Sequence, residues 1–205
     1  MFQFEIGVQS LNEDTLLEIN RRMDKYKLYH VIEEISKNNN IHMHLDLIAG
    51  LPCEDYSSFQ TSFDGIHMLN AEKIQLGFLK VLKGTKMYED KDKHRIKYMH
   101  KAPYEVISTK YITLAELLKL KNIEELVDKY YNEKYFNNSL KYIIDNIFPD
   151  SAFKFYDSFS EYWQKNDLYN KSHSRKKLYK ILYDYIEYIN KMSNEFASSL
   201  KFDYI

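Results

Sequence analysis

A few residues in the first half of the chain are of types and at positions that could do chemistry. Gln9 ends a run of alternating polar and apolar residues, and its amide can both donate and accept hydrogen bonds, as a ribose or an amino-acid group requires. Asp46 lies near the end of a second such run and can accept from two ribose hydroxyls. Arg21 or Arg22 could hold a carboxylate through two parallel N–H donors. Each also has an ordinary reading: Gln9 as a polar strand end, Asp46 as a helix cap or ion-pair member, Arg21 as a solvated helix end. His42 and His44 share a strand face with Asp46, the residue set of a two-His, one-carboxylate metal site. Positions i, i+2 and i+4 of a regular strand span about 13 Å at ~3.3 Å per residue, so one ion cannot take all three. These histidines are expected to line a cavity or meet solvent. Lys83-Gly84-Thr85 lacks the glycine spacing of a Walker loop. No Gly-x-Ser-x-Gly elbow supports a serine hydrolase.

Cys53 is the one cysteine among 205 residues. It permits no intrachain disulfide, no cysteine-rich zinc site and no thiolate-held iron–sulfur cluster. The expected state of Cys53 is a small, partly buried side chain. A formal net charge of -1 makes a general binder of nucleic acid or anionic membrane a poor fit. No apolar run approaches the ~18 residues of a membrane span, and the first residues lack the regions of a signal peptide. These features predict a soluble, intracellular, cytoplasmic protein.

The elements that must position these residues can be read from periodicity. Phe2–Gln9, Ile41–Ile48 and Lys73–Val81 read as strands. Between them stand helices from an Asn12 cap to about Arg22, over Tyr26–Lys37, and from about Asp55 to Met68. Asn38-Asn39-Asn40 reads as a turn. Helices between strands imply parallel crossovers. Every strand has one apolar face, such as Met43, Leu45 and Leu47, and one polar face, such as His42, His44 and Asp46. Strands buried on both faces would read as nearly continuous apolar runs. The polar face is therefore either solvated or the lining of a polar barrel cavity.

Composition shifts near residue 90. Residues 1–90 carry 9 Lys/Arg against 14 Asp/Glu; residues 91–205 carry 20 against 16, and 15 of the 19 tyrosines. The second half reads mainly as helices. Thr113 and Glu116 form a capping box, Pro149 stops a short helix bearing Leu140 and Ile143, and Asp150 or Ser151 caps the next. Leu178, Leu182, Tyr185, Ile189, Met192 and Phe196 make one continuous helical seam. Lys97–Lys110 permits a short hairpin or an extended segment.

Three stretches carry a family resemblance. Residues 5–24 hold the strand-end Gln9 and the helix-borne Asn20-Arg21; residues 45–54 read Leu-Asp-Leu-Ile-Ala-Gly-Leu-Pro-Cys-Glu; residues 75–87 close on Leu-Lys-Gly-Thr-Lys-Met. In order and spacing they resemble the second half of a radical-SAM barrel, in the branch of the oxygen-independent coproporphyrinogen oxidases and cobalamin-domain proteins. Residues 91–205 resemble the helical domain of unknown function that follows the barrel in some of the latter. The resemblance implies that Gln9, Arg21 and Asp46 contact S-adenosylmethionine (SAM), that the backbone of Leu79, Lys80 and Val81 flanks it, and that Glu5 and His44 face the substrate. It implies a partial (β/α) barrel of three parallel strands over residues 1–90 and a helical domain over 91–205. The family's Cys-x3-Cys-x2-Cys loop is absent. The chain is thus expected to be the C-terminal portion of an iron–sulfur oxidoreductase, inactive alone, whose 4Fe-4S cluster and any cobalamin belong to a longer parent. Its expected partners are the missing N-terminal half of the barrel or a second copy joined through open sheet edges. A competing reading is a partner- or RNA-binding module on a degenerate half-barrel, with Arg175, Lys176 and Lys177 beside Tyr179 supplying charge and stacking.

Overall fold

A computed structural model describes residues 2–37 and 40–205. The turn expected at Asn38–Asn40 falls on residues 38 and 39, outside the described residues. Two compact units divide the chain, Met1–Lys121 and Asn122–Ile205.

In the first unit, β1 (Phe2–Gln9), β2 (Ile41–Ala49) and β3 (Lys73–Phe78) form one parallel sheet in the order β1-β2-β3. The connections carry α1 (Glu13–Glu18), α2 (Lys25–Ser36) and α3 (Tyr56–His67). Alternation sorts the two faces of the sheet. Met43, Leu45, Leu47, Ala49, Ile74 and Leu76 are buried, as are Ile32 of α2 and Phe59, Phe63 and Ile66 of α3. Helix α3 packs on β2. The opposite face carries Glu5, His44 and Lys73 on one rung and Gly7, Asp46 and Gln75 on the next. Sequential parallel strands with apolar residues toward the helices and a polar inner face are the expected arc of a (β/α) barrel.

Caps set the helix ends. The Asn12 side chain accepts from Thr15 N–H at 3.2 Å and opens α1. That helix stops short of the expected Arg22. Asn20 adopts a left-handed φ of 55°. Asn20 N–H then reaches Leu17 O at 3.0 Å and Arg21 N–H reaches Leu16 O at 2.7 Å. This pair of bonds is a Schellman ending with Asn in the usual glycine position. At α3, Asp55 and Ser58 form a reciprocal capping box.

Strand β3 ends at Phe78 rather than Val81. Residues 79–81 instead pair antiparallel with a hairpin made by β4 (Lys97–Tyr98) and β5 (Val106–Ser108), bridging Lys80 to Glu105. The hairpin alternative for Lys97–Lys110 is the one observed. A short helix, α4 (Lys86–Glu89), precedes it. Because Ile96, Val106, Ile112 and Leu117 are buried, the compact unit runs past the compositional shift at residue 90 to Lys121. Gly50, after β2, sits at φ 85° with a hypothetical Cβ only 2.7 Å from Val106 Cγ1. Gly50→Ala is expected to cost about 2 kcal/mol, combining left-handed strain with overpacking. Urea denaturation measures this; a loss below about 0.5 kcal/mol would show that the turn relaxes freely.

The second unit is helical. Helix α5 (Leu114–Leu126), whose residues up to Lys121 belong to the first unit, opens on the Thr113–Glu116 capping box and continues as a π-helical segment, Val127–Asn132. Then follow α6 (Asn137–Asn146), α7 (Ala152–Lys165), α8 (Arg175–Tyr188) and α9 (Asn194–Tyr204). The continuous seam expected from Leu178 to Phe196 is two helices. Asn190 takes a left-handed φ of 55°, and the Ser193 hydroxyl accepts from Phe196 N–H to start α9. Tyr130, Phe136, Tyr156, Phe159, Trp163 and Tyr185 form a fully buried aromatic core. No helix among the described residues is long and apolar enough to cross a membrane.

Candidate functional site

The polar sheet face gathers most of the residues singled out by chemistry. At its upper end the β1 ladder bulges between Gly7 and Gln9, and Gln9 takes a left-handed φ of 69°. The Gln9 side chain thereby turns back over Gly7. A Cβ at Gly7 would stand 2.4 Å from Gln9 Nε2 and 3.5 Å from Arg21 Nη2. Glycine at this position makes room for both. The Schellman ending of α1 directs Arg21 toward the strand, where its Nη2 donates to Gly7 C=O. Gln9, Gly7 and Arg21 are thus one cluster.

Asp46 pairs in register with Gly7 on one side and Gln75 on the other. Its Oδ1 is buried and has no hydrogen-bond partner. Burial pushes its carboxyl above the ordinary value and Glu5 adds to this, while His44 and Lys73 pull it back. A buried acceptor left unsatisfied costs about 1–3 kcal/mol, so the position favours an incoming hydroxyl or N–H donor. One rung lower, His44 Nδ1 lies 3.3 Å from Gln3 Nε2, which donates to Glu5 Oε1 at 3.2 Å. Glu5 is exposed and His44 half-buried.

The third predicted segment is differently disposed. Leu79 N–H donates to Ala49 O at 3.0 Å, Leu79 O accepts from Val106 N–H at 2.8 Å, and Val81 N–H donates to Tyr104 O at 2.9 Å. Leu79 and Val81 side chains are buried, whereas Lys80 is exposed. Within this stretch the Lys80 side chain is therefore the group presented outward.

Behind the strand ends lies a network that residue-by-residue reading missed. Glu54 is 1% exposed. Its Oε1 accepts from Ser10 Oγ at 2.5 Å and Ser62 Oγ at 3.0 Å, while Oε2 has no partner. Ser62 Oγ also accepts from Leu11 N–H at 3.0 Å, and Asn12 Nδ2 donates to Cys53 O at 3.3 Å. These bonds tie the loop after β1 to the loop after β2. Burial, with a smaller push from Asp55, raises the Glu54 carboxyl to about 7 against the pull of the two serines. Nothing in the sequence marks Glu54 as buried, although it closes the Leu-Pro-Cys-Glu run. Cys53, at φ 64°, donates its thiol to Tyr111 Oη at 3.4 Å.

The competing module required Tyr179 as an exposed stacking surface. Tyr179 is buried, and its hydroxyl donates to Tyr135 O at 2.8 Å and Asp203 O at 2.6 Å. Arg175 lies instead over the Tyr135 ring, 5.0 Å from its centroid. The stacking expectation at Tyr179 is corrected: an aromatic on the inner side of α8 packs against the helix ends rather than meeting solvent.

The class is therefore a three-stranded parallel α/β sheet with a polar face, followed by a helical region. Residues 92–205 match the family described as protein of unknown function (DUF4080), and since they make up more than half of the chain, it belongs to that family. An uncharacterized protein of Bacillus subtilis (strain 168), YtqA, is 29% identical over 102 residues, covering 49% of this chain and 31% of that protein. The structure is also similar, at a TM-score of 0.45 and 16% identity, to coproporphyrinogen III oxidase (HemN) from Escherichia coli, described as a radical SAM enzyme; the match covers 62% of this chain and 26% of that one. A likeness at that score bears on neither activity nor cofactor. The chain spans about a third of the curated relative and about a quarter of the solved chain.

Proposed function

We propose that this chain carries the SAM- and substrate-facing part of a radical-SAM iron–sulfur oxidoreductase. The observation that carries the reading is the orphaned Asp46 Oδ1 beside the Gln9–Gly7–Arg21 cluster. In this reading Asp46 accepts from the ribose hydroxyls, Arg21 and Gln9 hold the methionyl end, Lys80 flanks the ligand, and Glu5 and His44 meet the substrate. The motif order in residues 5–24, 45–54 and 75–87 supports the same assignment. SAM fits these residues because each of its polar ends meets a complementary group.

A four-iron cluster does not fit this chain, whose single thiol is spent on Tyr111. Its ligands, and any cobalamin site, would come from outside these 205 residues. The edge of β1, where Phe2 and Phe4 are 73% and 44% exposed, is where the remaining barrel strands or a second copy would join. The chain alone is expected to bind SAM weakly, and Asp46→Ala to weaken that binding about tenfold, the loss of one charged hydrogen bond. Calorimetry measures both. Micromolar affinity that survives Asp46→Ala and Gln9→Ala would refute the assigned site. A stoichiometric four-iron cluster on this chain after anaerobic reconstitution would refute the division of labour.

A further inference from the structure

A second constellation shares no residue with the polar sheet face, and the SAM reading does not use it. Glu18 ends α1, Asp90 follows α4, and His94 lies in the next turn, where its N–H returns to Asp90 O at 3.2 Å. One ligand atom from each of the three side chains lies within 4.8 Å of the other two. His94 is fully buried. Its Nε2 is aimed at Glu18 Oε1 at 3.1 Å, and its Nδ1 stands 3.4 Å from the Tyr111 hydroxyl. That hydroxyl also accepts the Cys53 thiol, so a further pair of side chains holds the imidazole from behind. Metal-bound histidines are oriented in this way by a partner on the second ring nitrogen.

From this geometry we propose that Glu18, Asp90 and His94 bind a divalent cation of the zinc class. One imidazole nitrogen and two carboxylate oxygens are the donor set of a borderline ion, with a fourth position left for water or a ligand. Metal–ligand distances of about 2.0–2.2 Å place tetrahedral ligand atoms about 3.4 Å apart. The Glu18–His94 separation of 3.1 Å is close to this, and an Asp90 carboxylate oxygen lies within 4.8 Å of both. A cation is already drawn to the position: Lys93 Nζ, on a side chain 56% exposed, bonds Glu18 Oε1. Lys86 lies 3.9 Å from Asp90. The metal replaces the Lys93 ammonium, which moves into solvent.

Cobalt(II), titrated into the full chain, is the probe, because tetrahedral coordination gives strong visible absorption that the aqueous ion lacks. One equivalent is expected to bind. His94→Ala and Glu18→Gln should each weaken binding at least about tenfold, since loss of an outer partner alone costs about 10–100-fold. Lys93→Ala should tighten it by removing the competing charge. Asp46→Ala should leave it unchanged, so failure here and failure of the SAM reading are separable. If His94→Ala does not fold, Glu18→Gln and Lys93→Ala decide. Absorption no stronger than that of aqueous cobalt, an affinity indifferent to Glu18→Gln, or weaker binding in Lys93→Ala would overturn the proposal.

Discussion

Trp163→Ala is expected to cost the helical unit about 3–5 kcal/mol, the range for removing a large aromatic from a packed core. Trp163, the one tryptophan, is fully buried on α7. Its ring meets Tyr130 at 6.1 Å and Phe159 at 6.0 Å, both edge-on, with Tyr169 at 5.3 Å and His173 at 5.2 Å. Phe159 and Tyr130 in turn pack on Tyr185 and Phe136, so a cavity there unsupports several helices. A unit of this size loses roughly 4–8 °C of melting temperature per kcal/mol. Trp163→Phe keeps most of the ring volume and should cost much less. Far-UV circular dichroism under urea reads both variants. An alanine variant within 1 kcal/mol of the parent would mean that this core is loosely packed.

The second large effect concerns pH. In the unfolded chain Glu54 ionises near 4.5; in the folded protein it does so at about 7. The folded state therefore holds this proton more tightly. The stability that the protonated carboxyl contributes is fully present below pH 4.5 and is lost as pH rises through about 7. At about 1.4 kcal/mol per factor of ten in the ionisation constant, the loss is about 3 kcal/mol. Glu54→Gln retains an acceptor for Ser10 and Ser62 but does not ionise. It should flatten the stability profile between pH 4.5 and 8 by about this amount, as measured by denaturation at several pH values. A variant with the parent's slope would place the titration on another group.

The three strands were legible because side chains alternate, and alternation over six to nine residues admits one assignment of faces. Gln9 and Asp46 stand out in the sequence as candidates because ligands of parallel sheets gather near the carboxyl ends of strands. What sequence could not show is tied to single residues. Asn20 and Asn190 each take a left-handed φ and end a helix, yet the apolar spacing runs on past Asn190 without a break. Residues 79–81 continue an apolar run, and only the return of Tyr104–Val106 in space claims them for a hairpin. Glu54 reads as a surface charge until Ser10 and Ser62 are seen beside it. Glu18 and His94, 76 positions apart, carry no local pattern that joins them.

The polar face of the β1-β2-β3 sheet is the proposed SAM site. Amide chemical-shift mapping tests it most directly, because it reports weak binding residue by residue. S-adenosylhomocysteine titrated into isotope-labelled chain should shift the amides of Gly7, Gln9, Asp46 and Gln75, and Asp46→Ala should require about tenfold more ligand for the same shifts. Shifts confined to residues 122–205, or none at millimolar ligand, would contradict the account.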